Sequence, residues 1–114
     1  MKRFVLHKHS GYGRTHWDLM LETHAALATW SLQADPLAAM PLQAVQIHDH
    51  RKAYLDYSGP VSGDRGRVDP QDSGTLTVIS REENLWTFEL GGTVLSGRFE
   101  LRRVAGDRWM FQAG

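Results

Sequence analysis

Cysteine is absent from the 114 residues, so disulfides and thiolate chemistry are excluded. Any metal must then be held by histidine, carboxylate or water. No run of about 18 apolar residues occurs, which leaves no membrane-spanning helix in the sequence. The start, MKRFVLHKHSGYG, carries a basic pair, but its apolar run breaks at His7, too early for a signal peptide. An excess of either charge is also missing, since 13 basic residues face 13 acidic ones. A protein that coats long duplex DNA usually carries net positive charge. The balance argues against DNA coating and leaves room for recognition of a terminus. The lack of cysteine fits a cytoplasmic protein.

What is present is ordinary for a globular chain: 41% hydrophobic and 23% charged residues. The length favours one domain, residues 1–114, around one core. Strand-like segments are FVLHKH (4–9), HWDLMLE (16–22), ATWSLQ (28–33), AVQIHDH (44–50), GTLTVIS (74–80), LWTFEL (85–90), TVLSGRFELRRV (93–104) and RWMFQ (108–112). Gly97 inside the long segment predicts a bulge or bend. Pro36 and Pro41 mark a loop or a single helical turn, and Asn84 marks a hairpin connection. Residues 57–74, YSGPVSGDRGRVDPQDSG, read as an extended surface loop. Helical periodicity is scarce. These features predict an all-β, mostly antiparallel barrel or sandwich with little helix.

On a strand over 16–22, side chains alternate between faces. Trp17, Leu19 and Leu21 then face a core, while His16, Asp18, Met20 and Glu22 share the other side. Three strand segments place polar pairs at i and i+2: His7 with His9, His16 with Asp18, and His48 with His50. Converging on one pocket, such pairs would form a ligand set suited to manganese, iron or zinc. The plainer reading is that a half-exposed sheet puts histidines on its wet face. His7 and His24 read as surface or loop residues. Trp17, Trp30, Trp86 and Trp109 read as core or rim packing rather than base-stacking platforms.

The blocks FVLHKHSGYGRTHWDLMLE, AVQIHDHRKAYLDYSG, SGTLTV, LSGRFELRR and RWMFQ, in this order, resemble the 3′-phosphoesterase domain of bacterial DNA ligase D, which also occurs as stand-alone proteins. The likeness runs from about residue 4 to residue 112, and its first two blocks are the specific part. It implies a compact, closed β-barrel that trims nucleic-acid 3′ ends in DNA repair. The activity it implies is removal of a 3′-ribonucleotide and then a 3′-phosphate, with manganese as the metal. DNA ligase or other end-joining proteins become the expected partners. The resemblance assigns metal binding to His9, His16 and Asp18, and phosphate engagement to His50 and Tyr54. His48 stands where the family has a glutamate. Asp49, beside it, reads as a supporting residue.

Two departures accompany the likeness. The loop between His9 and His16 is one residue longer than the common spacing. The family's phosphate-contacting arginine, two residues beyond the aspartate, is replaced by Met20, which cannot bind phosphate. Arg14, Arg51 and Lys52 are candidates to supply the missing cation, because guanidinium-type charge stabilises a transferring phosphoryl group. In this reading a divalent metal acts as Lewis acid and template. A protonated His50 stabilises developing charge or protonates the leaving oxygen, and Tyr54 donates a hydrogen bond. Asp56, Tyr57 and the following loop could frame the terminus, though a solvated loop is the plainer role.

Two other classes compete. A module that binds DNA ends or a repair partner without cutting them fits Met20 and the neutral charge. A non-haem iron oxygenase would use the two-histidine, one-carboxylate set of His16, Asp18 and His50, but so short a chain leaves little room for a co-substrate.

Overall fold

The strands run almost end to end, as the alternating sequence requires, and a computed structural model describes all residues, 1–114. They are β1 (Lys2–Ser10), β2 (His16–Glu22), β3 (Leu27–Leu32), β4 (Leu42–His50), β5 (Gly59–Pro60), β6 (Arg67–Arg81), β7 (Leu85–Gly91), β8 (Ser96–Ala105) and β9 (Arg108–Ala113). One 3-10 turn, Lys52–Leu55, is the only helical element. Neighbours pair antiparallel in the order β1-β2-β3-β4-β9-β8-β7-β6, and β6 pairs back onto β1. Eight strands therefore close a barrel, which removes the free sheet edges that invite aggregation. The two-residue β5 lies outside the ring and pairs only with β6.

Side-chain parity divides the molecule. Residues of one parity, among them Phe4, Leu6, Leu19, Leu21, Trp30, Leu76, Phe88, Leu101 and Phe111, fill the interior as one cluster. Trp30 packs edge-on against Trp86 and Trp109, at 5.1 and 5.6 Å between ring centroids, an arrangement that aromatic quadrupoles favour. Residues of the other parity on β1, β2 and β3 face outward. There Val5, Met20 and Leu27 form a second small cluster with Leu55 of the 3-10 turn, and Tyr54 packs against it. Both faces of β3 are covered, and all six of its residues are buried. The all-β, antiparallel barrel expected from the pattern is the fold observed.

Three local expectations fail. The predicted loop over 57–74 is a strand from Arg67 onward, because β1 pairs with β6 along nearly its whole length. Its polar composition misled because only one side of it meets protein: Val68, Asp72 and Leu76 are buried, whereas Arg67, Gln71, Ser73 and Thr75 are exposed. The strand predicted from residue 93 starts at Ser96. Thr93, Val94 and Leu95 instead donate backbone N–H groups to the Asp72 carboxylate at 2.7–3.1 Å. Gly97 has φ +110°, yet β7 and β8 stay in register through it, and the irregularity in β8 falls between Arg103 and Ala105.

Candidate metal and phosphate site

Antiparallel pairing sets the first part of the site. His9 lies directly opposite His16, and His7 opposite Asp18, across β1 and β2. The His9 and His16 rings are 4.8 Å apart, and one donor atom from each of His9, His16 and Asp18 lies within 4.8 Å of the others. The loop after β1 leaves this pairing intact, since residues 11–15 lie beyond the ends of β1 and β2. Two ligands at about 2.1 Å from one ion are at most about 4.2 Å apart, so small side-chain shifts would bring all three onto one cation.

The hydrogen bonds fix which nitrogens are free. His9 Nε2 lies 2.7 Å from the Arg65 carbonyl, so Nε2–H donates and Nδ1 keeps its lone pair. His16 Nδ1 lies 3.2 Å from the Arg14 carbonyl, which leaves Nε2 unprotonated in the neutral ring. That Nε2 faces Asp18 Oδ1 at 3.4 Å. Asp18 is 3% exposed, and its Oδ1 is buried without a hydrogen-bond partner. A lone pair against a buried carboxylate oxygen is unfavourable unless a proton or a cation sits between them. The contact with Asp18, opposed by burial, raises the His16 pKa. Backbone carbonyls orienting two imidazoles, with an unpartnered carboxylate oxygen beside His16, suit a divalent cation.

A break in β4 brings in the second part. Leu27 pairs with His50 and Thr29 with Ile47, so β4 spends one extra residue around His48 and Asp49. Such a bulge re-aims side chains, and here it turns His50 onto the outer face beside Leu27 and Thr29. Thr29 Oγ1 donates to the Leu27 carbonyl at 2.9 Å, so it accepts from His50 Nδ1–H at 3.0 Å. Nε2 of His50 is left as the acceptor. Burial, outweighing the attraction of Asp18, lowers the His50 pKa. That shift favours the uncharged ring at neutral pH, whereas the charge-stabilising role read from the sequence applies only if His50 is protonated. Tyr54, on the 3-10 turn, meets the His50 ring edge-on at 5.6 Å.

These side chains line one cavity of about 450 Å³ that contains His9, His16, Asp18, His50 and Tyr54 together with Tyr12, Arg51 and Arg65. His48 and Asp49 are exposed on its rim. The His48 ring stacks on His50 at 4.9 Å, so it touches the site directly.

The three candidate cations separate. Arg51 borders the cavity and makes no hydrogen bond or ion pair with its side chain. Lys52 is tied away from it, with Nζ 2.9 Å from the His24 carbonyl and 3.6 Å from Glu22 Oε2. Arg14 contributes its carbonyl to His16 and does not line the cavity. Met20 is 1% exposed in the outer apolar cluster and reaches only a 40 Å³ recess beneath His9, Asp18, His50 and Tyr54. Asp56 does not frame the cavity, because it pairs with Arg3 at 2.6 Å.

Two residues escaped the sequence reading. Arg65 lies in what seemed an unstructured loop, but a Cβ on Gly66 (φ +75°) would come within 2.0 Å of the Ser10 carbonyl oxygen. That close approach, open only to glycine, holds the Arg65 carbonyl over His9. His7 is fully buried rather than exposed, with neither ring nitrogen hydrogen-bonded. Burial lowers its pKa, which keeps the ring neutral behind Asp18. No pattern in the sequence distinguishes it from a wet-face histidine.

The sequence profile of the DNA Ligase D 3′-phosphoesterase domain matches residues 6–103. The chain belongs to the DNA ligase D 3′-phosphoesterase family. The multifunctional non-homologous end joining protein LigD of Mycobacterium bovis is 32% identical over 116 residues, covering 94% of this chain and 15% of the relative. The Mycobacterium tuberculosis multifunctional non-homologous end joining DNA repair protein LigD matches to the same extent. LigD of Pseudomonas aeruginosa is 32% identical over 112 residues, 90% of this chain and 13% of that protein. This 3′-phosphoesterase-family chain therefore spans about 15% of the length of the curated relatives it matches. No helix in it is long and apolar enough to cross a membrane.

Proposed function

We propose that the chain is a metal-dependent phosphoesterase that acts on nucleic-acid 3′ ends in DNA repair, removing a 3′-ribonucleotide or a 3′-phosphate. The observation that carries this reading is the buried, unpartnered Asp18 oxygen in a cluster where donor atoms of His9, His16 and Asp18 lie within 4.8 Å of one another, beside the half-buried His50. His9, through Nδ1, His16, through Nε2, and Asp18 would hold the ion; such a set suits manganese, iron or zinc, and the family resemblance favours manganese among them. Such an ion supplies charge neutralisation at phosphate oxygens when bound.

The chain's own residues then divide the remaining work. His50 Nε2 accepts a proton from the attacking water as its oxygen bonds to phosphorus and the phosphoester P–O bond breaks. The ring, held by Thr29, returns that proton to the leaving oxygen. Tyr54 donates a hydrogen bond from its hydroxyl to a phosphate oxygen. Arg51, without an acidic partner of its own, supplies cationic charge in place of the arginine that Met20 replaces. Partnership with a ligase or other end-joining proteins belongs to the same reading, supported by the family and by the relatives' named roles.

A second reading, an end-binding module without turnover, is favoured by one observation: the buried, apolar setting of Met20. One assay separates them. A recessed primer–template ending in a ribonucleotide or a 3′-phosphate is incubated with manganese or chelator, with His16→Ala as control. Metal-dependent trimming that the variant lacks is the expected result. Tight binding of the end without any trimming would leave only the second reading.

A further inference from the structure

Beside the candidate site lies a second cavity of about 350 Å³, lined by Arg51, Ala53, Tyr54, Tyr57, Pro60 and Val61 together with Ser62. It shares the wall made by Arg51, Tyr54 and Val61 with the metal-ligand cavity. The two differ in character: one is lined by imidazoles and carboxylates, the other by two aromatic rings and small apolar groups.

Tyr57 is built as a fixed platform. Its hydroxyl donates to the Pro60 carbonyl, and its ring meets Tyr54 edge-on at 5.5 Å. The ring stays 37% exposed and borders the cavity. An aromatic side chain that is tethered at its polar end loses little further freedom when a flat ligand lies against it. Ala53, Pro60 and Val61 provide apolar walls for the rest of the slot, and Arg51 borders both cavities.

We infer that this second cavity is a nucleobase subsite, in which Tyr57 stacks the base of the nucleoside whose 3′ oxygen carries the phosphate. The inference rests on the proposed phosphate site and adds the part of the substrate next to it. A phosphate bound among His9, His16, His50 and Tyr54 leaves its nucleoside one sugar away, and the adjoining slot is the neighbouring space with aromatic and apolar walls. Recognition by stacking accepts every base, because each has a π face. The subsite would therefore prefer base-bearing ends over baseless ones without reading sequence.

The test measures binding of 5′-labelled oligonucleotides by fluorescence anisotropy, with and without manganese, and turnover in parallel. One ligand ends in a normal nucleoside 3′-phosphate and the other in a 3′-phosphate on an abasic sugar. Wild type should bind the base-bearing end about 5- to 150-fold more tightly, the range that one base–aromatic stack contributes. Tyr57→Ala should erase that difference, chiefly through the base-bearing ligand, and Tyr57→Phe should restore it. Thermal melts identify any variant that fails to fold, in which case Tyr57→Leu, flat-faced no longer but of similar bulk, takes the place of alanine. Equal binding of both ends by wild type, with trimming intact, overturns the subsite alone. Base preference without trimming supports the subsite and overturns the enzyme reading. No binding of either end overturns both.

Discussion

Thr29 and His50 are joined by a 3.0 Å hydrogen bond in which the imidazole Nδ1–H donates, while the threonine hydroxyl donates onward to the Leu27 carbonyl. This short relay assigns the tautomer of His50 from a residue on the strand next to the one that carries His16 and Asp18. It also explains why β3 carries a fully buried threonine among leucines and tryptophan.

Thr29→Val keeps the shape and removes the acceptor. The rate of 3′-end trimming should fall about 10- to 100-fold, the usual cost of losing a histidine's supporting partner at a metal centre, with little change in substrate binding. Thr29→Ser should recover most of it. Steady-state kinetics with a melting curve for each variant checks this. An unchanged rate in Thr29→Val would remove the relay from the mechanism.

Manganese should stabilise the protein by mass action, by about 2.7 kcal/mol at one hundred times its dissociation constant. For a domain of this size that is a rise of several degrees in Tm. Chelator should abolish the rise, and so should Asp18→Asn and His16→Ala. Differential scanning calorimetry with and without the ion reads this independently of any activity.

The three candidate cations should behave differently. Arg51→Ala should weaken trimming and raise the apparent substrate requirement, since Arg51 borders both cavities and has no acidic partner. Lys52→Ala and Arg14→Ala should change the rate less than threefold, because Lys52 is engaged with Glu22 and His24 and Arg14 uses its backbone. Comparable losses in all three would mean that charge acts through the general field rather than through one contact.

Asp72 offers a pH prediction. Burial alone would raise its pKa, but four backbone N–H groups, from Ser73, Thr93, Val94 and Leu95, hold it below the usual carboxylate range. A depressed folded-state pKa stabilises the protein above the unfolded value near 4, and that stabilisation is lost as pH falls through the folded value. Asp72→Asn should cost about 2–3 kcal/mol at pH 7, a typical penalty for charge-assisted bonds of which some become unmatched. Urea titrations at pH 7 and pH 3 should show that the variant loses less stability on acidification than wild type does.

Much of this was legible in the sequence, for reasons that particular residues illustrate. The alternation in HWDLMLE assigned Leu19 and Leu21 to the interior and His16 and Asp18 to the other face, and both assignments hold. Pairing register, which the sequence leaves open, is what sets His9 opposite His16. The strand character of residues 67–73 was hidden because polar side chains occupy the solvent side and Pro70 and Gly74 imitate a loop. His7 was misread since its neighbours Val5 and His9 share its face, and only the cover provided by Tyr54 and the 3-10 turn makes that face dry there. The bulge at His48–Asp49 left no compositional mark at all.

The separation of parity between barrel interior and outer site has an evolutionary consequence. Selection can rewrite the chemistry of one face without renegotiating the packing of the other, so drift at the site is cheap in foldability. Met20 is an instance, an apolar residue accommodated against the floor of the site, with the seventeen-residue interior cluster separate from it. A mutant library confined to His9, His16, His48, Asp49 and Arg51, none of them buried, should return many folded proteins spanning a wide range of activities, whereas one confined to the interior should return few folded proteins of any kind.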